Sequence, residues 1–242
     1  MIFLGYSSKD RYTVVESMIF HLKNNGFHVW YDFHDMFLGD DRYAINFEFG
    51  IKNSKYVIFI ISENLFSSKC AVEELDFAHD LYEQNEIVLF PILFNFTAEN
   101  LPSQYQWVRK IIHNEVTDKT GTLYVVNQIL ERILRDQVVD EGLYDFDIIG
   151  TKLSEKHKYL CELIRTLHDI DLDNYNARLG ILYSMYIYLQ IKRSEKEKRQ
   201  YCNKLINRIF SMTKLNIQID HLTYALFQTA CLILLNDFAD NI

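Results

Sequence analysis

Two adjacent glutamates, Glu73 and Glu74, lie in the run Ser67-Ser68-Lys69-Cys70-Ala71-Val72-Glu73-Glu74-Leu75-Asp76-Phe77. Ser67 or Ser68 fits the N-cap of a helix. Cys70 and Glu74 are then i and i+4 and share a face, whereas Glu73 points about 100° away. One glutamate can face a binding edge while the other faces solvent. The ordinary role of acidic residues in a first helical turn is to complement the helix dipole; a catalytic role needs further support. A second group, Tyr6-Ser7-Ser8-Lys9-Asp10, follows the apolar run MIFLGY. Ser7 and Ser8 can offer hydroxyls at a strand terminus, and the common alternative is that Ser8 or Asp10 caps the next helix. A third group begins at Tyr31-Asp32 and continues through Phe33-His34-Asp35-Met36-Phe37-Leu38-Gly39-Asp40. Asp32 stands at the end of an apolar run. Met36, Phe37 and Leu38 either form a partner or ligand surface or fold back onto the body of the domain.

These residues need a frame to bring them together. Short apolar runs at 1–6, 27–31, 56–61 and 87–94, with a weaker one at 108–113, are rich in Val, Ile and Phe. Near-continuous apolar character fits strands buried on both faces. Helical patterns lie between them at about 11–25, 41–53, 68–84 and 119–137, and Gly26 is a stop signal for the first. Alternating β and α elements predict a parallel sheet covered by helices. Ligands then bind beyond the carboxyl ends of the strands, where all three groups fall. The chain has no GxGxxG after its first strand, no GxxxxGK[ST] and no GxSxG. A dinucleotide-binding Rossmann domain, a P-loop NTPase and a serine-hydrolase elbow are disfavoured.

Charge divides the 242 residues in two. Residues 1–150 hold 12 Lys+Arg and 23 Asp+Glu, a net of −11; residues 151–242 hold 13 and 10, a net of +3. Seven of eight Gly and both Pro lie in the first part. The shift predicts two structural units, 1–140 and 151–242, with YDFDIIG (144–150) as the joint. The second part reads as helical at about 153–169, 174–192, 195–211 and 217–236, with Ile181, Leu182, Met185, Tyr186 and Leu189 at helical spacing. A net charge of −8 argues against a nucleic-acid partner. No continuous run of about 18 apolar residues appears, so no membrane span is expected. The N-terminus lacks the pattern of a signal peptide. A cytoplasmic protein is therefore expected, with Cys70, Cys161, Cys202 and Cys231 as free thiols. No His/Cys spacing suits a metal.

Taken in order, Phe3-Leu4-Gly5-Tyr6-Ser7-Ser8-Lys9-Asp10, Val29-Trp30-Tyr31-Asp32, Leu38-Gly39-Asp40, Gly50-Ile51, Ser54 through Ser62, and Glu74-Leu75-Asp76 resemble a TIR (Toll/interleukin-1 receptor) domain of the bacterial type over about residues 1–137. The resemblance implies a flavodoxin-like five-strand parallel sheet, followed here by an all-α C-terminal region. It implies cleavage of the nicotinamide–ribose bond of NAD+, with NAD+ as substrate and no cofactor. The products would be nicotinamide with ADP-ribose or a cyclic or conjugated form, often in anti-phage defence. The family's essential glutamate sits in a Trp-x-x-x-Glu pattern. An ungapped match places it at Glu74, with Glu73 one residue out of register, and puts Cys70 where the tryptophan stands. Tyr6 and Ser7 match the first-strand edge of the substrate pocket. Asp32 matches an acidic position at the start of the loop after the second strand, and Phe37 lies in that loop. TIR enzymes complete their site by TIR–TIR association, which implies a homo-oligomer, and 151–242 would serve oligomerisation, an effector or trigger partner, or bracing. The alternative is a non-catalytic scaffold acting through TIR–TIR contact alone.

Overall fold

The computed structural model describes residues 1–31, 36–153, 156–192, 199–215 and 217–240. They form two compact units, Met1–Val126 and Asn127–Ile242.

Five parallel strands build the first unit: β1 (Ile2–Gly5), β2 (Val29–Trp30), β3 (Tyr56–Ile61), β4 (Val88–Phe94) and β5 (Asn114–Val116), in the order β2-β1-β3-β4-β5. This is the flavodoxin-like order expected. Every residue of β3 is buried, as its unbroken Tyr-Val-Ile-Phe-Ile-Ile sequence requires of a central strand. Val57, Phe59 and Ile61 share a core with Leu65, Leu75 and Ala78 on one face. Ile58 and Ile60 are equally buried on the other. Because the order reverses at β1, a crevice opens beyond the carboxyl ends of β1 and β3.

The helices of this unit depart from uniform α form. The segment after β1 passes through a 3-10 turn (Ser8–Asp10) and a π turn (Arg11–Val15) before α1 (Glu16–Asn24). The pattern at 41–53 becomes a π-helix, Tyr43–Ile51. It is followed by α2 (Glu63–Phe66) and α3 (Lys69–Glu83), and α4 (Leu123–Asp140) begins in this unit and continues into the second. Ser68 is the N-cap of α3, accepting a hydrogen bond from Ala71 N.

The fifth strand differs from expectation. Residues 103–110 form a 3-10 helix that buries Tyr105 and Val108, and the strand follows at Asn114–Val116. β5 is an edge strand pairing only with β4, Ile92 opposite Asn114 and Phe94 opposite Val116. It is stabilised by its ladder rather than by apolar content, so apolar run length points to the wrong segment.

The second unit is helical. The expected joint at 144–150 instead leads into α5 (Phe146–Leu153). Then come α6 (Lys158–Asp169), α7 (Tyr175–Lys192), α8 (Gln200–Lys214) and α9 (His221–Ala239). The beginning expected for the third C-terminal helix, 195–198, lies outside the described residues. Helix α9 packs on α5, α7 and α8 through Leu226, Phe227, Ala230, Leu234 and other buried residues. By length and composition it could cross a membrane, although it is not a continuous apolar run, and 67% of its apolar stretch is buried inside the unit. That burial is the signature of a core helix. Asn236 exchanges two hydrogen bonds with the backbone of Tyr144, at 2.8 and 2.9 Å, fixing the approach to α5. Buried Arg178 donates to Tyr224 Oη and to the carbonyls of Leu167 and Ile170, satisfying the C-terminal end of α6. Burial pushes the Cys231 thiol up to about 12.

Gly5 allows the closest approach in the sheet: a Cβ at this position would lie 2.4 Å from ring carbons of the buried Phe59. Gly5→Ala is expected to cost about 1–3 kcal/mol through overpacking, read as a lowered denaturation midpoint with unchanged secondary structure by circular dichroism.

Candidate functional site

Glu74 lies in the second turn of α3, where the i, i+3, i+4 rule sets it on one face with Cys70 and Ala71. All three line a cavity of about 230 Å³ with Phe3, Leu4, Tyr6, Ser8, Trp30, Asn46 and Ser68. Each wall has an identifiable source. Tyr6 and Ser8 come from the turn after β1, Trp30 from β2, and Asn46 from the π-helix. Phe3 and Trp30 stack with ring centroids 5.0 Å apart. Gly50 has no Cβ to meet the Phe3 ring, which would lie only 3.0 Å from one, so the π-helix can pack closely there.

Glu74 is 8% exposed, whereas the Glu73 side chain is 41% exposed. The neighbouring glutamates therefore divide as the helical period requires. Asn46 Nδ2 donates to Glu74 Oε1. Arg42 spans the pair: Nη2 is 2.5 Å from Glu73 Oε2, and Nη1 is 3.3 Å from Glu74 Oε1. Its guanidinium also lies 5.3 Å from the Phe47 ring centroid. Burial opposes the charge on Arg42. The hydrogen bond with Glu73 and the fields of Cys70, Glu74 and Glu73 outweigh it, and the pKa is raised further above its usual value. Arg42 thus stays charged across ordinary pH.

A second buried carboxylate, Asp10, lies in the turn after β1. Asp10 accepts from Ser62 Oγ at 2.5 Å and from Asn64 Nδ2 at 2.6 Å. Ser62 in turn accepts from Leu65 N as the N-cap of α2. Asp10 makes no side-chain cap on the helical segment that follows it. It joins the end of β1 to the end of β3, across the crevice that the strand order creates. The capping role considered for Asp10 from sequence is replaced by this cross-strand tie.

The structure thus brings Tyr6, Cys70 and Glu74 to one cavity. Ser7 is buried behind that wall, and its neighbour Ser8 lines the cavity instead. Phe37 is 74% exposed and Leu38 fully so, on the loop, while Met36 packs against the sheet core. Of the three loop residues, Met36 thus folds back onto the body of the domain, while Phe37 and Leu38 stand exposed. Asp32 lies outside the described residues. Sequence reasoning missed Arg42 and Asn46. Neither carries a local signal, because what sets them beside Glu74 is the placement of this segment against α3.

The arrangement is a shielded carboxylate at the carboxyl edge of a parallel sheet, with an aromatic floor and a tyrosine at the rim. It can attract a cationic centre or accept hydrogen bonds from hydroxyls. Whole-ligand pockets are typically about 300–1,000 Å³, so this cavity suits one end of an extended substrate.

Residues 2–122 match the family described as TIR domain. The protein named "Probable 2' cyclic ADP-D-ribose synthase TcpO" of Methanobrevibacter olleyae is 34% identical over 134 residues, covering 54% of this chain and 38% of that protein. The NAD(+) hydrolase TcpA of Theionarchaea archaeon (strain DG-70-1) is 30% identical over 141 residues, 57% of this chain and 41% of that one. The NAD(+) hydrolase TcpC of Escherichia coli O6:H1 is 30% identical over 101 residues, 41% of this chain and 32% of that one. The matched segment thus spans well under half the length of each curated relative.

Replacing Asp10 by Ala strands Ser62 and Asn64. Hydrogen bonds to a charged group contribute about 1.5–3 kcal/mol each. Asp10→Ala is expected to lower unfolding free energy by at least about 2 kcal/mol, measured by urea titration; an unchanged midpoint would show the tie to be dispensable.

Proposed function

This chain belongs to the TIR domain family, and on that premise we propose that it cleaves the nicotinamide–ribose bond of NAD+. The observation that carries the reading is the Glu74 carboxylate, shielded in a cavity at the β1/β3 crevice. The names of the curated relatives, NAD(+) hydrolase and probable 2' cyclic ADP-D-ribose synthase, favour the same reaction.

The chemistry suits a carboxylate with no acid beside it to donate a proton. Nicotinamide in NAD+ is a cationic leaving group. When the C1′–N bond breaks, its electron pair goes to the ring nitrogen and nicotinamide departs neutral, so no general acid is needed. Positive charge builds on the ribose as an oxocarbenium ion, as in glycoside hydrolysis. Glu74 stabilises that charge or grips the ribose hydroxyls. Phe3, Trp30 and Tyr6 give the nicotinamide ribose an apolar, water-poor setting. The acceptor then fixes the product: water yields ADP-ribose and releases a proton, an internal nucleophile yields a cyclic isomer, and another nucleophile yields a conjugate.

Arg42, 3.3 Å from Glu74, opposes cation stabilisation in this arrangement. A weak basal rate that rises on association is consistent with that contact. Exposed Phe37 and Leu38 give the loop an apolar surface for a second copy. We propose TIR–TIR association in the cytoplasm, a role in bacterial anti-phage defence, and a trigger or partner acting through 151–242. Cys70 in place of the family's tryptophan favours the second reading, a non-catalytic scaffold.

Incubation with NAD+ separates the two. Wild type is expected to release nicotinamide, and mass analysis of the co-product identifies the acceptor. Glu74→Gln should lose at least about 100-fold, in the range of removing one electrostatic stabiliser, while Glu73→Gln keeps activity. A dead Glu73→Gln beside an active Glu74→Gln would move the role by one residue, and an inert wild type would leave the scaffold.

Specific activity should also rise with protein concentration. A Phe37→Ser, Leu38→Ser double variant should flatten that rise without altering the melting curve. Wild-type activity strictly proportional to enzyme concentration would exclude activation by association.

A further inference from the structure

Asn46 is 2% exposed and lines the cavity beside Glu74. Burying an amide is costly unless both of its ends are answered. The Nδ2 end is answered by Glu74 Oε1. The Oδ1 end is buried and has no hydrogen-bond partner among the described residues. The amide cannot simply be turned over, because that would set its oxygen against a carboxylate oxygen, two acceptors facing each other.

The backbone explains how a polar side chain comes to this position. Residues 43–51 are wound as a π-helix, and Lys52 N bonds to Phe47 O, five residues back. The wider turn accommodates an extra residue within a helical segment, a form frequent at functional sites. Phe47 and Ile51 still reach the core, and Asn46 faces α3.

We propose that Asn46 is a specificity-determining residue for the nicotinamide-side ribose: its Nδ2 group orients the Glu74 carboxylate, and its Oδ1 accepts a hydrogen bond from a ribose hydroxyl. The inference rests on the NAD+-cleavage reading and deepens it. A carboxylate and an amide oxygen side by side are two acceptors, and the cis-diol of a ribose offers two adjacent O–H donors. The carboxamide of nicotinamide offers only N–H donors on one nitrogen and matches the acceptor pair less well.

The test compares wild type, Asn46→Leu and Asn46→Asp on NAD+ and on analogues lacking the 2′- or 3′-hydroxyl of the nicotinamide ribose. Wild type should lose about 10–100-fold in kcat/KM when the contacted hydroxyl is removed, the effect of stranding a buried acceptor. Asn46→Leu should lose a similar factor on NAD+ itself and then discriminate against that analogue by less than about 3-fold, its acceptor being already gone. Asn46→Asp keeps an acceptor, and its acid limb of kcat/KM should move to higher pH by about one unit or more as a second carboxylate meets Glu74. Arg42, Glu73, Cys70 and Tyr6, which also surround Glu74, are unchanged in both variants. A structural role alone would lower stability without altering hydroxyl discrimination or the pH limb.

Full wild-type discrimination in a folded Asn46→Leu overturns the ribose contact. Transfer of the lost discrimination to 3-acetylpyridine adenine dinucleotide, which lacks the carboxamide N–H, overturns it in favour of a nicotinamide contact. If Asn46→Leu does not fold, Asn46→Asp and Asn46→Ser carry the same comparison. If wild type leaves NAD+ intact, the proposed activity fails separately. Calorimetric titration with NAD+ and the deoxy analogues then reads the ribose contact directly: weaker binding of one analogue to wild type but not to the variant supports it, and no difference refutes it.

Discussion

A carboxylate held out of water needs partners, and the geometry around Glu74 follows from that need. An ionised group at this depth is tolerated only when paired or hydrogen-bonded. Two of its partners come from outside its own helix: Asn46 from the π-helix and Arg42 from the position that precedes it. Helix α3 supplies the position through its N-cap at Ser68 and the i+4 relation to Cys70. The sheet supplies the cavity by reversing its strand order at β1. Moving any of these would leave either a buried charge unanswered or a cavity without its acid.

The same logic recurs in the turn after β1 and in the second unit, with different results. Among the described residues Asp10 is paired with neutral donors, Ser62 and Asn64, and acts as a strut between the ends of β1 and β3. Arg199 lies between Glu141 and Asp237 at 2.5 and 3.2 Å, joining the segment after α4, the start of α8 and the end of α9. Burial disfavours its charge, the hydrogen bonds to Glu141 and Asp237 outweigh this, and its pKa is raised. These are closed networks in which both partners belong to the fold. The Glu74 group differs in having an amide oxygen with no partner among the described residues. That oxygen belongs to a residue that lines the cavity, as neither Asp10 nor Arg199 does.

Two departures from regular helical winding supply residues to the cavity. The turn after β1 passes through 3-10 and π forms, and the segment carrying Asn46 is a π-helix. Regular winding would be favoured by local propensity alone. In the π-helix, the apolar contacts of Phe47 with Phe77 and of Ile51 with the core coexist with a buried asparagine on the same turn. The local irregularity is thus offset by tertiary packing, as expected where a helix serves two faces at once.

Several features were legible in the chain itself. Unbroken Val/Ile/Phe runs marked β1, β3 and β4, because central parallel strands are apolar on both faces. The spacing of Cys70, Glu73 and Glu74 set one glutamate inward and one outward, because the α-helical period depends only on local backbone geometry. The resemblance carried by dispersed short motifs pointed to the TIR fold and to Glu74. Other features depended on distant contacts. β5 lay beyond the apolar run that seemed to announce it, because an edge strand is fixed by its ladder with β4. Residues 146–150, read as a joint, became helical as Phe146 and Ile149 were buried within the second unit. Asp10 changed from candidate cap to cross-strand tie because its partners lie more than fifty residues away. Arg42 and Asn46 were invisible as site residues because the π winding that sets them against α3 has no local signature. Sequence specified the central strands and the inward-facing glutamate; only the packing of the elements decided which edge strand forms and what answers that carboxylate, because strand pairing and the pairing of buried charge are properties of three-dimensional neighbours.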